Sequence, residues 1–166
     1  MSYKFSQSKK TGFTLIELLV SVAIGLVLSS FAIGSFLDYL DKKNVSNAVD
    51  ELKAFFQKAE SDAKVGNLGG CNQLAGYRVT SSKTCNITRV TSQAVCIVGT
   101  PGLAKSFEIE QNIDITPNLD LTFKVLHAGV DIAGGLASTD ITVANENNTY
   151  VFTVFREGRF SEGSWQ

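Results

Sequence analysis

Glu17 is the one formal charge in a run of 25 residues from Phe13 to Leu37, and Gly12 stands directly before that run. An acid near the start of an apolar helix costs free energy in lipid, on the order of 2 to 3 kcal/mol at mid-bilayer and less toward an end. A compensating cation is available by simple chemistry. If the chain is cut between Gly12 and Phe13, the new α-amine is positive at neutral pH, since its reference pKa is about 7.7 to 8.0. Phe13 and Glu17 are four residues apart, a spacing that stacks side chains one helical turn apart. In an assembly, the amine of one copy could equally meet the Glu17 of its neighbour. At about 4 Å and an effective dielectric of 20 the attraction is roughly 4 kcal/mol before desolvation is subtracted. Such a pair would set helices in register.

A helix must position these groups. With about 1.5 Å of rise per residue, Phe13 to Leu37 is long enough to cross a hydrocarbon core of roughly 30 Å. Beyond Leu37 no Pro or Gly occurs until Gly66, and Val45, Val49, Leu52, Phe56, Ala59 and Ala63 recur at spacings of three and four. That periodicity predicts one continuous helix from Phe13 to about Lys64, amphipathic in its second half. Asp41, Lys42, Lys43, Asp50, Lys53, Lys58, Glu60 and Asp62 fall on the other face, which is expected to be solvated.

The segment Lys-Thr-Gly-Phe-Thr-Leu-Ile-Glu-Leu-Leu-Val at positions 10 to 20 resembles the processing site of type IV pilins and type II secretion pseudopilins. The resemblance implies that a membrane prepilin peptidase cuts after Gly12 and methylates the amine of Phe13, and that Glu17 is the assembly glutamate. It also implies other pilin or pseudopilin subunits and a membrane assembly platform as partners. The family often carries a proline near the position of Gly34. This chain has none, and Gly25 and Gly34 are expected to supply a weakness instead, at about 0.8 to 1.0 kcal/mol each relative to Ala.

Two plainer readings compete. In an ordinary secretory signal, Lys4, Lys9 and Lys10 form the basic leader and Ser30-Phe31-Ala32 the cleavage site. The apolar run is too long for that, and it contains an acid. A simple membrane anchor with an incidental Glu17 is the other. Neither accounts for a glycine before Phe13 and a glutamate four residues after it.

Removing residues 1–12 takes away three lysines and leaves 12 bases against 16 acids, a net charge near −4. A broad electrostatic footprint for nucleic acid needs clustered Lys and Arg, so nucleic acid is disfavoured as a partner. Gly66, Asn67, Gly69 and Gly70 end the helical pattern, and short runs rich in Val, Ile, Thr, Phe and Tyr follow. Strands are expected at 75–80, 86–90, 94–98, 106–115, 119–126, 140–144, 149–155 and 159–161, with a loop at 129–138. Short spacers make them mostly antiparallel, with the helix covering one sheet face.

The C-terminal meander, Ile141 to Phe160 with its Glu157-Gly158 turn, resembles the end of the minor pseudopilin subgroup and its pilus counterparts. In some minor pilins of this subgroup a Gly-Arg-x-Arg stretch contributes to DNA binding. Here Arg156 and Arg159 are the only nearby bases, and Ser161 stands at the second arginine position.

Cys71, Cys85 and Cys96 all follow the apolar segment, where an oxidising compartment would allow one bridge among them in any of three pairings, or none. Zinc is disfavoured, since His127 is remote and no C-x-x-C pair exists. Asp114, Asp120, Asp131 and Asp140 lack the spacing of a calcium loop, and the sequons at Asn86 and Asn147 are short chance-prone patterns. No catalytic constellation is present, so no enzyme activity and no cofactor are expected.

The fold class expected is α+β: a leader at 1–12, a transmembrane or filament-core helix at 13–37, an amphipathic helix at 38–65 and a β-rich domain at 66–166. The function expected is a structural subunit, a minor pilin or pseudopilin. It would cross the cytoplasmic (inner) membrane once, with its C-terminal domain outside the cytoplasm, and reach a filament or the cell surface after assembly. A DNA-binding minor pilin and a secreted domain with an unknown ligand are the alternatives.

Overall fold

The computed structural model describes residues 12–85, 87–109, 112–126 and 129–166. Lys4, Lys9, Lys10, Asn86 and His127 lie outside that set. Helix α1 runs Leu15–Val65. The chain divides into two compact units between Tyr39 and Leu40.

In the first unit the apolar side chains have no core to enter. Leu15, Ile16, Leu18, Leu19, Leu26, Leu28 and Ile33 are all exposed, and the helix is long and apolar enough to cross a membrane. Ser21 and Ser29 donate their hydroxyls to the carbonyls of Glu17 and Gly25, and Ser30 donates to that of Val27, each at 2.7 Å. The helix continues unbroken through Gly25 and Gly34, so the expected weakness is not a break.

In the second unit the α1 stripe of Val45, Ala48, Val49, Leu52, Phe56, Ala59 and Ala63 is buried. Strands β1 (Cys71–Thr84), β2 (Ile87–Gly99), β3 (Lys105–Ile109), β5 (Asp120–Lys124) and β6 (Val130–Ile132) form one antiparallel sheet in the order β3-β2-β1-β5-β6. Strands β4 (Asp114–Thr116), β7 (Ser138–Ala144), β8 (Thr149–Phe155) and β9 (Ser164–Trp165) form a second, β4-β7-β8-β9. Alternate residues enter the core: Tyr77 and Val79, Leu121 and Phe123, Ile141 and Val143, Phe152 and Val154. The Phe56 ring lies at the centre, its centroid 6.1 Å from that of Phe123 and 5.9 Å from that of Phe160.

Several strand boundaries differ from expectation. The described part of the run at 86–90, from Ile87, and the run at 94–98 are parts of one strand. Thr91, Ser92 and Gln93, which break the apolar pattern, pair in register with Thr80, Val79 and Arg78. The described residues of the run at 106–115 fall in two strands of different sheets, β3 and β4, with Asn112 at φ 74° before β4. The expected loop at 129–138 contains β6, whose Val130 and Ile132 are buried, followed by a short 3-10 turn. The run at 159–161 contributes a single bridge, Phe160 to Val154, and the last strand is β9. The Glu157-Gly158 turn forms as expected, with Gly158 at φ 84° donating to the Phe155 carbonyl at 2.9 Å.

The apolar face of the second half of α1 is thus buried by two small sheets rather than one. The glycine before β6 permits a close approach. A Cβ on Gly129 would stand 2.3 Å from the Arg156 carbonyl oxygen, beside the Val130 N–H that donates to that same oxygen at 2.7 Å.

Candidate processing and assembly site

Gly12, Phe13 and Thr14 precede the helix in non-helical backbone. Thr14 is the N-cap. Its hydroxyl accepts the Glu17 N–H at 3.3 Å, and its carbonyl accepts the Leu18 N–H at 3.2 Å. The sequence signal was Thr14-x-x-Glu17, the S/T-x-x-E pattern of a helix start, which reasoning from charge alone passed over. Phe13 is 83% exposed, and around Gly12 no atom lies within 4 Å of where a Cβ would be.

In the uncut chain Phe13 and Glu17 are not yet in one helix. The Glu17 N–H that would close a turn onto the Phe13 carbonyl goes to the Thr14 hydroxyl instead, so Phe13 lies before the first helical turn. The Glu17 side chain is exposed.

In the other unit, Cys71 at the start of β1 and Cys96 in β2 are joined by a disulfide with Cα atoms 5.3 Å apart. Cys85 is a free, exposed thiol in the turn after β1. Cys71 pairs in register with Gly99, and Leu74 with Cys96, so bulges in β1 bring the two sulfurs together across the ladder.

The four aspartates are not gathered into a site. Asp120 receives Arg78 through two hydrogen bonds, at 2.7 and 2.6 Å, and Asp131 pairs with Lys124 at 2.7 Å. Asp114 pairs with Lys83, and Asp140 accepts from the Thr153 hydroxyl at 2.7 Å. Among the described residues no three His, Cys, Asp or Glu side chains converge as metal ligands would.

The charged face of α1 is not solvated throughout. Asp62 is buried and sits 3.0 Å from the Lys58 ammonium and 3.2 Å from that of Lys105 on β3. Burial pushes its pKa up. Hydrogen bonds from Lys58 and Lys105, the charge of Lys105 and a hydrogen bond from Asn67 outweigh that and hold the carboxyl below its ordinary value. A contact 43 residues apart in sequence carries no local signal.

Arg156 and Arg159 are both exposed. Arg159 lies 3.8 Å from Glu157 and stacks over the Phe155 ring at 5.4 Å, so its charge is partly met within the turn.

Residues 7–33 match the family model of the prokaryotic N-terminal methylation motif. Two fimbrial proteins of Pseudomonas aeruginosa are each 30% identical to this chain over 138 residues, which is 82% of this chain and 80% of theirs. The chain belongs to the type IV pilin family. Fimbrial protein Q of Moraxella bovis is 26% identical over 155 residues, 93% of this pilin and 82% of that protein. No solved structure gives a significant match. Membership makes the chain a pilin subunit with an apolar N-terminal helix suited to membrane anchoring and then to filament assembly.

Proposed function

We propose that this pilin is a minor pilin or pseudopilin, made as a precursor with a leader ending at Gly12. A prepilin peptidase removes the leader and methylates Phe13. An assembly platform then draws the 13–37 helix from the inner membrane into a filament, against the helices of other subunits. The domain outside the cytoplasm, 66–166 together with 38–65, becomes the outer surface. The observation that carries this reading is the exposed apolar half of α1, which begins at Leu15, three residues after Gly12, holds Glu17 as its one charge as far as Leu37 and overlaps the methylation motif at 7–33. A free amine at Phe13 would lie before the helix, where the Glu17 carboxylate of a neighbouring copy can approach it. No observation favours the DNA-binding alternative at Arg156 and Arg159, since Glu157 stands between them in sequence and pairs with one.

The test is the intact mass and N-terminal sequence of the protein from membranes of a host with a prepilin peptidase. A start at N-methylated Phe13 is expected. A start at Ile33, after Ala32, would move the chain to the secreted-domain alternative. Glu17→Val should stay inserted and be recovered poorly in sheared filaments; wild-type recovery would remove the charge-pairing account.

A further inference from the structure

The helix start has a consequence for the cut itself. Hydrolysis adds one water across the Gly12–Phe13 bond: hydroxide joins the Gly12 carbonyl carbon, and the proton goes to the departing Phe13 nitrogen. The leader leaves with a carboxylate and the chain keeps an amine. For that chemistry the scissile carbonyl must be free of helical hydrogen bonding and open to attack. A helix that began two or three residues earlier would engage the Gly12 carbonyl with the Ile16 N–H and cover one side of the bond. In this structure α1 begins at Leu15, and Gly12 and Phe13 are exposed and non-helical.

We propose that Thr14 is a positioning residue for leader removal, its hydroxyl fixing the start of α1 so that the Gly12–Phe13 bond stays non-helical and accessible. The inference rests on the reading that the chain is cut after Gly12. Two independent observations meet here: the hydroxyl accepts the Glu17 N–H at 3.3 Å, and the methylation motif spans the same residues. Upstream, Thr11 and Gly12 are the next residues of N-cap character. Without the Thr14 hydroxyl the helix start would relocate to them, carrying the scissile bond into the first turn. Loss of an N-cap displaces a helix-start equilibrium by about fivefold.

The experiment compares the full-length precursor with Thr14→Val, which keeps the shape without the hydroxyl, and Thr14→Ser, which keeps the hydroxyl. Each is presented in detergent to a purified prepilin peptidase. The initial rate of leader release is measured, and backbone chemical shifts of isotope-labelled Phe13 to Glu17 report the helix start. Cleavage of Thr14→Val should be about fivefold slower, with Phe13 shifting to helical values. Thr14→Ser should match the wild type in both. Equal rates for all three, with the wild type cut after Gly12, would overturn the inference and leave the processing reading intact. Slow cleavage of Thr14→Val with an unmoved helix start would also overturn it, by assigning the hydroxyl a direct contact with the peptidase. A wild type cut elsewhere would remove the processing reading itself.

Discussion

Reducing the Cys71–Cys96 bond should cost this pilin about 3 kcal/mol of stability without changing its fold. The bridged residues are 25 apart in sequence. In the chain-entropy treatment a loop of that size removes roughly 3.5 kcal/mol of freedom from the unfolded state at 25 °C, and the usual range for a disulfide is about 2 to 4 kcal/mol. The β1–β2 ladder holds its register beyond the bridge, from Gly76 with Val95 to Thr84 with Ile87. The folded state therefore keeps its alignment when the bond opens, and the loss falls on the unfolded chain. Reduction is a cleaner perturbation than mutation, because Cys71 is buried and replacing it would change packing as well. The assay is urea unfolding with and without reductant, followed by fluorescence of the sole tryptophan, Trp165, whose ring centroid lies 5.1 Å from that of Tyr150. With a denaturant slope of about 1 to 3 kcal/mol per molar, the midpoint should fall by roughly 1 to 3 M. Thiol titration under denaturing conditions should count one equivalent, Cys85, before reduction and three after. Three equivalents before reduction, or an unchanged midpoint after complete reduction, would refute the reasoning.

Phe56→Ala empties the centre of the core between Phe123 and Phe160 and should cost about 3 to 5 kcal/mol, read as a lower urea midpoint by the same fluorescence. Asp62→Asn should lose about 1 kcal/mol at neutral pH, a figure reduced because Lys58 and Lys105 are largely exposed. The folded carboxyl titrates below its ordinary value of 3.8. Its stabilising contribution is therefore full above that value and lost as pH falls through the folded pKa, so the gap between wild type and variant should close on acidification. A gap that fails to narrow as the pH falls below 3.8 would show that packing, not charge, holds Asp62.

The helix was legible because its signal is local and repeated. The i, i+3, i+4 spacing from Val45 to Ala63 marked the buried stripe, and the uncharged run after Glu17 marked the exposed one. The strands were legible as stretches of β-forming residues and less so as units. Thr91-Ser92-Gln93 reads as a turn by composition, yet it is the middle of β2, held by pairing to β1 that no local window contains. β6 is three residues long, follows a glycine and precedes two more, so its membership in the sheet depends on β5 and on the Arg156 carbonyl. Helical phase alone puts Asp62 on the wet face, and the contact that buries it comes from Lys105 on a distant strand. At the processing site the acid and the glycine stood out by charge and spacing. The cap at Thr14 carries an equally local signal, Thr14-x-x-Glu17.

Three of the four serines between Phe13 and Leu37 give their hydroxyl hydrogens to carbonyls of their own helix. Those polar groups ask nothing of their surroundings. A segment built this way is interchangeable between solvents: hydrocarbon or the flanks of other helices can surround it, and its internal bonds are the same in both. The difference between the two environments then falls mainly on Glu17, the one charged side chain in the segment. One side chain thereby acts as the segment's address, while the rest of the helix serves as freight that any apolar medium can carry.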